Sequence, residues 1–238
     1  MRMQDNTFCE MQQIKSLLLN KKIPDEYPES ISKIKPMELQ KIYNIDKFDF
    51  INISSFALIT KTWVKPLAEY IGDKKCLEIM AGKGVLAKAL SDYGVEIIAT
   101  DNYTWKWHRK RDKKEGQIVK SEELWCDVLN IDCLEAINKY GSGISYIICS
   151  WPPYESTDLH KSLLLMRKVN SACKLIYIGE GKGGCTAEDG FFNEARVITS
   201  DAQFNSISKL LRSWQGMYDK IQLINFFQSE ESMKVKIY

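Results

Sequence analysis

Three short segments carry residue types and spacings suited to chemistry. The first is Leu77-Glu78-Ile79-Met80-Ala81-Gly82-Lys83-Gly84-Val85-Leu86-Ala87, an apolar run, a glycine turn and an amphipathic start. Glycine lets backbone approach a ligand closely, and a helix opening after such a turn leaves its first N–H groups unbonded. The next apolar run ends in Asp101, followed by Asn102. An acid about 20 residues beyond a glycine turn is placed to accept hydrogen bonds from ribose hydroxyls. Together they predict an adenosine-bearing cofactor. The second segment is Ser150-Trp151-Pro152-Pro153-Tyr154. Its prolines hold the chain extended at the carboxyl end of an expected strand, where open α/β sheets place ligands. The third, Gly179-Glu180-Gly181-Lys182-Gly183-Gly184-Cys185-Thr186, has four glycines in six residues. It reads either as a flexible connector or as a mobile loop that closes over substrate. Glu180 is its best-placed carboxylate for general-base or anchoring work. Cys185 has neither His108 nor His160 near it in sequence to activate it.

Gly82-x-Gly84-x-x-Ala87 fits the short G-x-G-x-x-G/A signature of nicotinamide and flavin binders. The wider string Glu78-x-Met80-Ala81-Gly82-Lys83-Gly84 resembles motif I of class I S-adenosylmethionine (SAM)-dependent methyltransferases. That motif is an acid, one residue, a small residue, one residue, then Gly-x-Gly. Met80 stands where the family has its first glycine. The resemblance implies that Glu78, Met80, Ala81, Gly82 and Gly84 serve the loop and the methionine part of SAM. It implies Asp101 and Asn102 at the ribose, and Asp127 and Val128 at the adenine. Ser150 to Tyr154 is similar to motif IV of amino-methyltransferases, (Asp/Asn/Ser)-Pro-Pro-(Tyr/Phe/Trp). On that likeness Ser150, Trp151, Pro152 and Tyr154 set the acceptor, and Glu180 accepts or orients its proton. Trp151 occupies the polar position, and an indole has no acceptor to hold an amine. Ser150 or backbone carbonyls must then take that contact. The likeness spans residues 74–238. It implies a Rossmann-like, mostly parallel seven-stranded sheet with an antiparallel last strand. It also implies methyl transfer, with a nitrogen nucleophile favoured, and leaves the substrate open among small molecules, nucleic acid and protein.

Two other function classes stay open. One is an NAD-dependent oxidoreductase, which the short glycine signature admits. Its Tyr-x-x-x-Lys, Tyr43 to Lys47, precedes the glycine turn and gives no help. The other is a non-catalytic binding module that contacts nucleic acid through residues 105–114. Trp105-Lys106-Trp107-His108-Arg109-Lys110-Arg111-Asp112-Lys113-Lys114 has six Lys/Arg in its last nine residues and two Trp. Such a stretch can touch phosphates and stack bases, or be a solvated loop.

The elements that must position these segments follow from apolar rhythm. Residues 1–72 read as a helical N-terminal extension, with helices over 7–20, 36–45 and 54–71 and breaks at Pro24 and Pro28. Ser55, Phe56, Thr60 and Trp63 are candidate lining residues at helical spacing, although an apolar face docking on the sheet explains Phe56 and Trp63 as well. From residue 73 to 238 short apolar runs alternate with helices, as in an α/β sheet covered on both faces. Strands are expected over 75–80, 95–100, 121–126, 144–149, 173–178, 221–227 and 233–238. Helices are expected over 85–93, 134–140, 160–169 and 206–214. The last two strands are too close for a crossover helix, so they should pair antiparallel.

Composition bounds these readings. The chain has 238 residues, 45% of them apolar, enough for a large domain with its own core. Thirty-three basic and 31 acidic residues leave a net charge of +2, which excludes binding by bulk positive charge. The seven cysteines form no CxxC pair, so no zinc or thioredoxin-like site is expected. Cys76, Cys149 and Cys173 sit in or beside apolar runs and read as small buried hydrophobes. An odd cysteine count and an N-terminus without a signal-peptide core fit an unexported, cytoplasmic protein.

Overall fold

The computed structural model describes residues 2–104 and 121–226, with side chains from residue 6 onward. The basic stretch 105–114 and the expected strand 233–238 lie outside the described residues.

Five helices precede the sheet: α1 (Arg2–Leu19), α2 (Ser30–Lys33), α3 (Pro36–Tyr43), α4 (Lys47–Ile53) and α5 (Lys61–Ile71). Pro36 opens α3 from its first position, where the missing N–H costs nothing. The expected helix over 54–71 is two structures. Asp46 caps α4, accepting from the Phe48 N–H, and residues 54–60 form an irregular link before α5. Then β1 (Cys76–Ile79), α6 (Val85–Ser91), β2 (Ile97–Asp101), β3 (Val128–Asn130), α7 (Cys133–Tyr140), β4 (Tyr146–Ser150), α8 (Asp158–Val169) and β5 (Lys174–Gly179) alternate. The chain continues through α9 (Asp189–Glu194), β6 (Arg196–Val197), α10 (Ala202–Ser208) and β7 (Lys220–Asn225).

The strands form one α/β, Rossmann-like sheet in the order β3-β2-β1-β4-β5-β7-β6. Pairing is parallel from β3 to β5, and β7 runs antiparallel to both β5 and β6. The third strand begins at Val128, two residues beyond the expected 121–126, where a single 3-10 turn over 121–123 stands instead. The two-residue β6 had no apolar run to announce it.

Period-two alternation sorts the strands' side chains into two cores. Ile148, Ile176 and Ile178 face α5, α6 and α10, beside Trp63, Leu86 and Phe204. Ile147, Leu175 and Tyr177 face α7, α8 and α9, beside Ile137, Leu163 and Phe191. The first cluster continues without a break into the extension through Met11, Leu39 and Phe50. Among the described residues no helix is long and apolar enough to cross a membrane.

Chain order reverses between β1 and β4, which neighbour each other although β2 and β3 lie to one side. Loops at the carboxyl ends of β1 and β4 therefore leave toward opposite faces and open a crevice, the place where sheets of this kind bind ligands.

Candidate active site

At the end of β1 the backbone turns through three left-handed residues, Met80 (φ 54°), Gly82 (φ 57°) and Gly84 (φ 71°). That conformation costs a non-glycine residue about 1–3 kcal/mol, so Met80 preserves the turn under strain. Gly84 caps α6, and a Cβ there would sit 2.6 Å from Cys126 Sγ and 2.7 Å from Val128 Cγ2. Only glycine lets α6 lie this close to the approach to β3.

Two buried carboxylates hold the turn. Glu78 Oε2 accepts from the Ala87 N–H at 3.0 Å, in the first turn of α6. Burial, reinforced by the charge of Asp101, pushes its carboxyl up to about 8 against the pull of the Ala87 N–H. Asp101 Oδ2 accepts from the Gly82 N–H at 2.7 Å, and Oδ1 from the Tyr103 N–H at 2.6 Å.

The loops after β4 and β5 form one platform. Trp151 takes φ 56° and donates its N–H to the Ile178 carbonyl at 2.8 Å. Ala187 donates to the Pro152 carbonyl at 3.2 Å, and Pro153 bridges Thr186. Glu180 is buried; Oε2 accepts from the Cys185 N–H at 2.7 Å and Oε1 from the Tyr218 N–H at 2.9 Å. The Thr186 hydroxyl accepts from the Glu180 N–H at 2.8 Å and meets the Tyr177 hydroxyl at 2.6 Å. Hydrogen bonds thus hold the glycine-rich loop at both ends, at Glu180 and at Cys185 to Thr186. Trp151 Nε1 donates to Asp219 Oδ1 at 2.9 Å. Burial raises the Asp219 carboxyl to about 6, although the Trp151 bond lowers it.

The extension covers this edge. Lys83 Nζ donates to the Asn52 carbonyl, and Trp125 Nε1 donates to the Ile53 carbonyl at 3.1 Å. Lys83 also pairs with Glu123 at 3.2 Å. Phe56 stacks on Trp151, with ring centroids 4.7 Å apart and planes 9° from parallel.

Between extension and sheet lies a cavity of about 1270 Å³. Of the residues singled out in the sequence, Glu78, Met80, Ala81, Gly82, Asp101 and Asn102 line it from β1 and β2. Ser150, Trp151 and Pro152 line it from β4, with Ser55 and Phe56 opposite. The Ser150 hydroxyl is buried and has no hydrogen-bond partner among the described residues. Phe56 is therefore more than a docking side chain, whereas Trp63 is wholly buried in the core and donates to the Leu58 carbonyl. The Thr60 hydroxyl is likewise buried, away from the cavity wall.

Five expected site residues stand elsewhere. Gly84 supports the wall without forming it. Val128 packs beneath Gly84, and Asp127 is exposed outside the cavity. Tyr154, 50% exposed, also lies off the wall. Glu180 lies off the wall, each of its carboxylate oxygens accepting from a backbone N–H. Sequence reasoning missed Lys83, Trp125 and Asp219 as fastenings, because each acts on a partner remote in the chain.

Among the described residues, carboxyl groups outnumber lysines on the wall: Glu78, Asp101, Glu122, Glu123, Glu155 and Asp158 against Lys21 and Lys83. No group of three or more metal-ligating side chains occurs among the described residues. All seven cysteines are free. Burial pushes the Cys76 and Cys173 thiols up to about 12, as inert core groups.

No family model matches the chain, and no curated protein matches it. Among solved structures it is similar to a SAM-dependent methyltransferase from Archaeoglobus fulgidus. Identity there is 12% and the TM-score 0.40, over 68% of this chain and 92% of that one. It is also similar to the mitomycin 7-O-methyltransferase MmcR, at 13% identity and TM-score 0.39, over 81% of this chain and 61% of that one. TehB from Haemophilus influenzae gives 12% identity and TM-score 0.38, over 80% of this chain and 66% of that one. The chain spans less than two thirds of the length of the last two. Likenesses this distant decide nothing about the reaction.

Proposed function

We propose that the chain is a SAM-dependent methyltransferase. The observation that carries this reading is the convergence of Glu78, Gly82, Asp101 and Ser150 to Pro153 on one cavity at the switch point of the sheet. Among the described residues the wall's carboxylates outnumber its lysines even without the protonated Glu78, which suits a cofactor with a sulfonium and an ammonium better than one with a diphosphate.

When bound, SAM supplies an electrophilic methyl carbon on a sulfur that departs as a neutral thioether. The protein's task is then proximity and alignment. Met80, Ala81 and Gly82 give the methionine part a close backbone surface. Asp101 and Asn102 offer acceptors to the ribose hydroxyls, since each carboxylate oxygen has a second lone pair beyond its backbone bond. Asp127 is set aside as an adenine contact, and Glu180 and Tyr154 as acceptor groups. The Ser150 hydroxyl takes over the polar contact that Trp151 cannot make: buried and unpartnered, it gains most from a polar atom on a ligand.

Calorimetric titration with S-adenosylhomocysteine, with NAD in parallel, tests the reading. Saturable S-adenosylhomocysteine binding, weakened about tenfold or more in Asp101→Asn, is expected. Folded protein that ignores S-adenosylhomocysteine overturns it, and NAD binding instead would restore the oxidoreductase.

A further inference from the structure

The cavity is larger than the about 300–1,000 Å³ of a typical single small-molecule site, so it has room for a second molecule beside a cofactor. Its extension-side wall combines apolar Leu18, Ile51, Phe56 and Ile59 with Lys21, Asn52, Ser54 and Ser55, and Trp151 and the two prolines line it from the sheet side. Residues 52–56 are fastened across the sheet edge at three points, by Lys83, Trp125 and the Phe56–Trp151 stack. Just beyond the prolines, Glu155 and Asp158 join the wall. Glu155 has no ion pair among the described residues, and Asp158 meets only Lys161, at 3.8 Å.

Resting on the methyltransferase reading, we infer that the acceptor is a small amine with an apolar, ring-sized body. Its body lies against Phe56 and Ile59, its nitrogen at the buried Ser150 hydroxyl, and its entry as an ammonium is favoured by Glu155 and Asp158. The amine sheds one proton to water at the mouth. Its lone pair then forms the N–C bond while the S–C pair returns to sulfur. The products are an alkylammonium, a neutral thioether and one released proton, so charge and atoms balance.

The test uses three probes that share a ring and differ in charge: 2-phenylethylamine, 2-phenylethanol and 3-phenylpropanoate. Each is titrated by calorimetry at low salt into the full chain saturated with S-adenosylhomocysteine. The amine should bind tightest and the carboxylate weakest. Glu155→Gln should weaken the amine about threefold and leave the alcohol unchanged. Phe56→Ala should weaken amine and alcohol together. Added salt should erode only the amine's advantage. Equal binding of all three, tighter binding of the carboxylate, or no amine binding by protein that holds S-adenosylhomocysteine overturns the inference and leaves the cofactor reading standing. Failure to bind S-adenosylhomocysteine at all strikes the cofactor reading instead. Because Glu155 is exposed and outside the core, its variant reports on charge without threatening the fold.

Discussion

Glu78 is ionised in the unfolded chain at neutral pH but strongly disfavoured as a charge in the fold. Its carboxyl rises from 4.5 to about 8, chiefly through burial. Between those values the folded protein holds a proton that the unfolded chain has released. Stability from this group is therefore intact below about 4.5 and falls as pH rises toward 8. Asp219 behaves alike over a lower window, from 3.8 to about 6. Glu78→Gln retains an Oε acceptor for the Ala87 N–H and removes the titration. Urea unfolding between pH 6.5 and 8, above the Asp219 window, should show a flatter profile for Glu78→Gln and a more stable variant at pH 8. Parallel profiles for the two proteins would mean that Glu78 does not hold its proton there. The acid itself was legible from its place before the glycine turn. Its partner was not, because the Ala87 N–H is freed only by the helix start that the turn creates.

At the scale of elements, the site depends on how closely α6 can lie against the approach to β3. Gly84 sets that distance, and its substitution combines a left-handed backbone with a steric conflict. Gly84→Ala should cost about 1–3 kcal/mol. Part of that cost should vanish in a Cys126→Ala, Val128→Ala background, where the two conflicting atoms are gone. Denaturant midpoints for the four proteins give the coupling, and a cost unchanged in that background would assign it all to backbone strain. The β1–α6–β2 unit was readable because each strand is a short, mostly apolar run bounded by turn residues. The third strand was displaced from the expected 121–126 because Val128–Asn130 buries only one residue fully, and so leaves a weak period-two signal. The link over 54–60 was hidden because its short apolar run, Phe56 to Ile59, leads straight into α5, and periodicity alone cannot separate a helix from buried irregular chain over so few residues.

The whole molecule couples the extension to the sheet. Trp63 is buried in the cluster that also contains Leu86, Ile148 and Trp214. Further ties reach the segment before β7. The Gln215 N–H donates to the Ile31 carbonyl at 2.8 Å, and Ser32 Oγ donates to the Ser213 carbonyl at 2.7 Å. Tyr70 donates to Asp201 at 2.7 Å. We expect the two parts to unfold together. Trp63→Ala should lower stability by about 3–5 kcal/mol and keep a single transition by both near-ultraviolet and far-ultraviolet circular dichroism. Two separated transitions would show the extension to be an independent unit.

Sequence by itself determined the α/β alternation, the glycine turn with an acid at the end of the next run, and the proline pair at the end of β4. These are local properties: strand hydrophobicity, backbone freedom at glycine and stiffness at proline act over a few residues. Tertiary structure decided which side chains reach the cavity. It brought Phe56 onto Trp151 across 95 residues of chain, fastened the strap over residues 52–56, and held Glu180 between the Cys185 and Tyr218 N–H groups. It left Asp127 and Tyr154 outside. Those outcomes depend on partners distant in sequence that meet only when the extension closes over the sheet, and no local pattern records such a meeting.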